Sequence, residues 1–228
     1  VAAGQWLAAE FLRAGRRPRY FHITSNNKEI KMSEKPVVDV VDMADRGAAL
    51  NTIVAAFAAD PLLRWIMPKA DTYLTFAAAA FDNFGGGAFA AGSAYQAADF
   101  AGVALWIPPG HDDDEVDENV ANLLAQAVAP ERLEEVGAVL AAMQSFHPDT
   151  PCWYLPLIGV DPHHQGRGLG AELMKYALAR CDEQGLPAYL ESSNPANISL
   201  YERHGFEVIG RIQEESSPPV HPMLRSAR

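Results

Sequence analysis

Trp153-Tyr154-Leu155-Pro156-Leu157-Ile158-Gly159-Val160 runs through Asp161-Pro162-His163-His164 into Gln165-Gly166-Arg167-Gly168-Leu169-Gly170, and this stretch decides the fold. Its first eight residues are an apolar run closed by Asp161-Pro162, the signal of a buried strand ended by a breaker. After the glycines, Leu173, Met174, Ala177 and Leu178 share one face of a helix that stops before Gly185-Leu186-Pro187. The unit is strand, glycine loop, helix. Glycine removes the Cβ where backbone N–H groups must approach an anion, and the helix that follows adds the positive end of its dipole. A phosphate-bearing ligand suits such a loop.

Two nucleotide-binding patterns compete for it. Gly166, Gly168 and Ala171 satisfy G-x-G-x-x-A, and Glu191 follows at about the 20-residue distance of a ribose-binding acid. A dinucleotide fold needs that motif near the start of a series of βαβ units, however, and only residues 192–228 follow. The Walker pattern fails because no Lys-Ser or Lys-Thr follows the glycines.

Outward from this centre, Val37 to Val41 reads as a first strand, and Leu50, Ile53, Val54 and Phe57 fall at helical spacing before Pro61. A helix capped by Asp71 is expected to run to Phe84, where Gly85-Gly86-Gly87 breaks it. A hairpin over Ala94–Ala98 and Phe100–Ile107 ends at Pro108-Pro109-Gly110. The acidic run from Asp112 to Glu118 lacks the turn glycines of a calcium loop and reads as a solvated helix start. Leu133, Val136, Leu140 and Met143 mark an amphipathic helix before His147-Pro148.

The 228 residues, 49% hydrophobic and 21% charged, suit one globular domain. A net charge of −11 opposes nucleic acid and anionic membranes as partners. Cys152 and Cys181 are too few for a disulfide framework, and no apolar run reaches membrane-spanning length, so a soluble cytoplasmic protein is expected. Residues 1–31 hold six basic and two acidic residues, against twelve and twenty-seven in the remainder. That discontinuity reads as a non-native or flexible leader, an appended or translated segment first and a mitochondrial-type peptide second. Met32-Ser33-Glu34-Lys35 is the expected native start, with residues 32–228 as the single domain.

Gln165-Gly166-Arg167-Gly168-Leu169-Gly170 fills every specified position of Gln/Arg-x-x-Gly-x-Gly/Ala, the acyl-coenzyme A loop of the GNAT superfamily of N-acetyltransferases. The resemblance continues through Tyr189-Leu190-Glu191-Ser192-Ser193 and through Asn194-Pro195-Ala196-Asn197-Ile198-Ser199-Leu200-Tyr201-Glu202-Arg203-His204-Gly205-Phe206, similar to the family's later strand and helix. It is clear over residues 151–211, and within the superfamily it is similar to puromycin N-acetyltransferase and bacterial relatives. The implied fold is mixed α/β: a twisted, mostly antiparallel sheet that splays between its middle strands, with helices on both faces.

The resemblance also implies site residues. Free backbone groups of Leu157, Ile158, Gly159 and Val160 would pair with pantetheine, and an N–H near Ile158 or Val160 would polarise the thioester carbonyl. Backbone N–H groups of Gln165, Gly166, Arg167, Gly168, Leu169 and Gly170 would hold the pyrophosphate, with the Arg167 side chain either adding a contact or facing solvent. Asn197 would hydrogen-bond the cofactor arm. Attack by an amine needs removal of its proton, for which Glu191 is the candidate base, its alternative being a structural carboxylate. Tyr201 would sit near the sulfur and protonate the departing thiolate, or else merely pack against Phe206.

Trp106, Trp153 and Tyr154 are candidates for the acceptor pocket, although aromatics on strands commonly serve the core. His163-His164 lacks a partner set for zinc, no metal is expected, and Cys152 receives no role. The expected reaction moves an acetyl group from acetyl-CoA to a primary amine of a small cationic acceptor, by direct attack in a ternary complex. A non-catalytic acyl-CoA-binding sensor is the alternative. The oligomeric state is left open, a homodimer included.

Overall fold

Two apolar strands, β3 (Gly102–Ile107) and β4 (Trp153–Val160), form the centre of a seven-stranded sheet. The computed structural model describes residues 36–111 and 115–228, with side chains from residue 119 onward in the second segment. Before β3 lie β1 (Val38–Val40), α1 (Arg46–Ala56), α2 (Pro61–Ile66), α3 (Ala70–Gly85), the single turn α4 (Gly87–Ala90) and β2 (Ala94–Ala97). Between β3 and β4 come α5 (Glu115–Ala127) and α6 (Leu133–Phe146). After β4 come α7 (Leu169–Gln184), β5 (Ala188–Ser192), α8 (Ile198–Glu202), β6 (Glu207–Val208) and β7 (His221–Arg225).

The strand order is β1-β2-β3-β4-β5-β7-β6, and every neighbouring pair is antiparallel except β4 with β5. Side-chain alternation sorts the core into two layers. Val103, Leu105 and Leu157 pack with α1, α3 and α6, whereas Ala104, Trp106, Trp153, Leu155, Leu190 and Met223 pack with α7. Gly159 lets α1 come close: a Cβ there would stand 2.6 Å from the Ala56 Cβ.

β4 departs from regular pairing once. Leu105 stands opposite Leu157 but Ile107 stands opposite Tyr154, so Leu155 and Pro156 together face Trp106. This is a β-bulge, and it occupies a proline, which has no N–H to give to a ladder. The bulge reverses which face the odd-numbered residues take, so Trp153 and Leu155 point to α7 while Leu157 and Gly159 point to α1. It also bends the strand. β4 pairs with β5 only at Trp153 with Ala188 and Tyr154 with Tyr189, and from Leu155 to Val160 the two strands part. The mixed, mostly antiparallel, splayed sheet flanked by helices is therefore present.

Several expected boundaries move. Lys69, not Asp71, is the cap of α3, and Asp71 sits in the first turn, where its charge still favours the helix dipole. Phe100, read as strand, has φ 61 and follows Ala98 and Asp99 at φ 54 and 53. This left-handed turn is held by Gln96, whose Oε1 accepts the Phe100 N–H at 3.1 Å, and by Thr52, whose hydroxyl donates to the Phe100 carbonyl at 2.7 Å. Pro61 opens α2 rather than only closing α1, because Asp60 caps it by accepting the Leu63 N–H at 3.0 Å. The expected leader over residues 1–31, the expected start at Met32 and the acidic residues 112–114 lie outside the described residues. Among those described, no helix is long and apolar enough to cross a membrane.

Candidate active site

The open side of β4 and the loop after it form one half of the site. Beyond Tyr154, the β5-facing backbone of Leu157, Ile158, Gly159 and Val160 has no strand partner among the described residues. Asp161 turns the chain by accepting the His163 N–H at 2.7 Å, and His163 and His164 lie on this exposed turn. Gly166 and Gly168 then take φ 74 and 83, in the left-handed region that glycine enters without a steric penalty. A Cβ built on either would meet no protein atom within 4 Å, so the loop faces open space.

Gly168 is the cap of α7 and supplies no side-chain hydrogen bond, which leaves the helix N–H groups from Leu169 onward aimed into that space. An unencumbered ring of N–H donors at a helix start fits a pyrophosphate. Arg167 is exposed and its guanidinium donates to the His163 carbonyl at 3.3 Å, while Gln165 donates to the Val160 carbonyl at 3.3 Å. Asn197 is exposed on the short turn before α8, beyond the loop.

The other half lies on the face of β5 that looks away from α7. Leu190 belongs to the α7 layer, so Tyr189 and Glu191 point to the opposite side, together with Tyr154 of β4. The Tyr154 and Tyr189 rings stack with centroids 5.9 Å apart. His147 sets its edge against both at 5.2 and 5.1 Å, and Phe84 meets Tyr154 edge-on at 6.2 Å. Glu191 stands among these rings with only partial access to solvent. Loss of water raises its pKa to about 7, the Tyr154 and Tyr189 phenols that face it holding the rise in check. Tyr189 is fully buried, and its Oη approaches the carboxylate without a partner at hydrogen-bond distance. Burial and the Glu191 charge push both phenols well above the ordinary tyrosine range.

Tyr201, on α8, is buried and packs edge-on against Phe206 at 6.3 Å. Its pKa is raised by burial and then by the charge of Asp60, which places that carboxylate within electrostatic reach. Asp60 is itself buried, and Ser193 donates to it at 2.6 Å. Desolvation raises the Asp60 pKa against these hydrogen bonds.

Trp106 and Trp153 do not join this group. Both are buried in the α7 layer, on the far side of the sheet from Glu191, and the Trp153 indole donates to Gln184 at 2.8 Å. The bulge explains Trp153: it separates Trp153 from Leu157, two strand residues that simple alternation would have placed on one face. Tyr154 alone of the three aromatics faces the site.

The wider molecule carries the same pattern as known proteins. A model of the acetyltransferase (GNAT) family matches residues 104–206, which span the bulged strand, the glycine loop and Tyr201. An uncharacterised N-acetyltransferase of Schizosaccharomyces pombe is 26% identical over 200 residues, covering 81% of each chain. The crystal structure of histone acetyltransferase HPA2 and related acetyltransferase from Corynebacterium glutamicum superposes with a TM-score of 0.63 at 25% identity, covering 86% of this chain and 98% of that one. The chain belongs to the GNAT superfamily. It is an acetyltransferase, and GNAT acetyltransferases use acetyl-CoA. A mycothiol acetyltransferase of Thermomonospora curvata is also similar, 40% identical over 78 residues that make up 33% of this chain and 26% of that protein.

Within this GNAT site, sequence reasoning missed Asp60, Ser193, Tyr189, His147 and Phe84. Tyr189 was within reach, since it lies two residues before Glu191 and strand alternation puts both on one face. Asp60-Pro61 carries a helix-cap signal and nothing that announces a partner 133 residues away. Phe84 and His147 enter through the ends of α3 and α6, and no local pattern marks that convergence.

Proposed function

We propose that this enzyme transfers the acetyl group of acetyl-CoA directly to a primary amine, with both substrates bound together. The observation that carries the reading is the juxtaposition of a strand edge without a strand partner among the described residues, a glycine loop that faces open space at its end and a desolvated carboxylate on the neighbouring strand. The β4 edge from Leu157 to Val160 pairs with the pantetheine amides, and an N–H near Ile158 or Val160 donates to the thioester carbonyl as charge develops there. N–H groups from Gln165 to Gly170 hold the pyrophosphate, and Asn197 borders the cofactor arm.

An amine arrives mostly protonated. The aromatic faces of Phe84, Tyr154 and Tyr189 with the Glu191 carboxylate suit an ammonium, and a carboxylate of pKa about 7 suits removal of its proton near neutral pH. The free nitrogen then adds to the carbonyl to form a tetrahedral intermediate, which collapses by breaking the C–S bond and loses a proton from nitrogen as coenzyme A departs. Tyr201 stays protonated well beyond neutral pH, as a donor to the leaving thiolate must. The test is coupled detection of coenzyme A thiol and N-acetylated product across a panel of primary amines. One-to-one appearance of both supports the reading, whereas acetyl-CoA binding without product points to the sensor alternative.

A further inference from the structure

The molecule holds an apolar cavity of about 120 Å³ between α2, α3, α5, α6 and the bulged part of β4. Phe81, Phe84, Leu124, Leu140, Met143 and Leu157 line it, and among its described lining residues none is charged. Its two polar members are Asn83 and Ser193, and the Ser193 hydroxyl already donates to Asp60. An apolar cavity of roughly 150 Å³ stays dry and is large enough to take up benzene. At about 120 Å³ this one is of the same order and suits a single ring or a short alkyl chain.

Its position says which substrate fills it. Ser193 is the first residue past the end of β5, two beyond Glu191, and Phe84 both lines the cavity and touches the Tyr154 ring of the Glu191 cluster. Through these two residues the cavity borders the Glu191 cluster, where the attacking nitrogen must be when Glu191 takes its proton. We infer that the acceptor is an amphipathic primary amine, with a single benzene-sized or short-alkyl apolar group seated in this cavity and its nitrogen at Glu191. The inference rests on the acetyltransferase reading above and adds the substrate class. Net negative charge alone suggests a polyamine, but a second ammonium would meet no carboxylate among the described lining residues.

The test is a series of amines from ethylamine to hexylamine, with phenethylamine and putrescine, at saturating acetyl-CoA and read by thiol release. The expected result is a kcat/KM that rises about four-fold per methylene until the cavity is full, from the transfer free energy of a buried CH₂. Phenethylamine should match the best alkylamine, and putrescine should fall below butylamine. In a second arm, ethylamine is held fixed while the donor is lengthened to butyryl- and hexanoyl-CoA. A rise that follows the acyl chain assigns the cavity to the donor and overturns the inference. So does a flat alkylamine series or a preference for putrescine, while acetyl transfer itself stands. If no amine is acetylated, both readings fall. Filling the cavity with Leu140→Trp should shrink the hexylamine-to-ethylamine ratio at least ten-fold, with Leu124→Phe as the milder change should the tryptophan prevent folding, and an unchanged ratio in a folded variant overturns the assignment.

Discussion

Replacing Glu191 with Gln should stabilise the protein at alkaline pH while it disables the site. Burial holds this carboxyl at about pKa 7, against an ordinary value of 4.5. Between those two values the native state keeps a proton that the unfolded chain has lost, so the free energy of unfolding falls as pH rises. The wild-type contribution is fully present below pH 4.5 and is lost as pH climbs through 7. At 1.36 kcal/mol per pH unit, that separation is worth about 3 kcal/mol. Gln keeps the shape of the protonated acid and does not titrate. Urea unfolding of both proteins from pH 4.5 to 8.5 isolates the effect, because other titrations cancel in the difference. The stability of Glu191→Gln relative to wild type should grow by about 3 kcal/mol over that range and then level off. A difference that does not change with pH, or one that moves in favour of wild type as pH rises, refutes the desolvated carboxyl.

Gly168→Val places a β-branched residue at φ 83, so it should cost about 1–3 kcal/mol of stability and weaken acetyl-CoA binding at least ~10-fold by calorimetry, since its Cβ points into the loop's open space. Tyr201→Phe keeps the ring against Phe206 but removes the proton donor; turnover should fall about 10²–10⁴-fold with donor affinity kept, and wild-type turnover under chemistry-limited conditions would return Tyr201 to a packing role. Gly159→Ala sets a methyl 2.6 Å from the Ala56 Cβ, and the forced shift of α1 should lower stability by about 1–3 kcal/mol in denaturant titration.

The strand, glycine loop and helix from Trp153 to Gln184 were legible because each signal there is local. An apolar run, a breaker, two glycines that need positive φ and a helical apolar stripe all lie within 32 consecutive residues. Glu191 was legible through its strand and the family resemblance. Its chemistry was not, because the pKa comes from Tyr154, Tyr189 and the packing around them, which only the sheet and helices assemble. The tryptophans show the reverse error. Simple alternation cannot foresee that Leu155 and Pro156 share one partner, and that extra residue decides which face Trp153 takes. β7 was invisible for a related reason: Pro222 interrupts a five-residue strand whose identity comes from pairing with β5.

If Glu191 takes the proton of the attacking amine, its ionisation must show in the pH dependence of kcat with a saturating accepted amine. Wild type should show kcat rising through an apparent pKa near 7 as the carboxyl ionises. Glu191→Gln should bind acetyl-CoA with unchanged affinity, turn over about 10²–10⁴-fold more slowly and lack that limb. A variant that turns over at the wild-type rate, or that keeps the same rise through pH 7, contradicts the account.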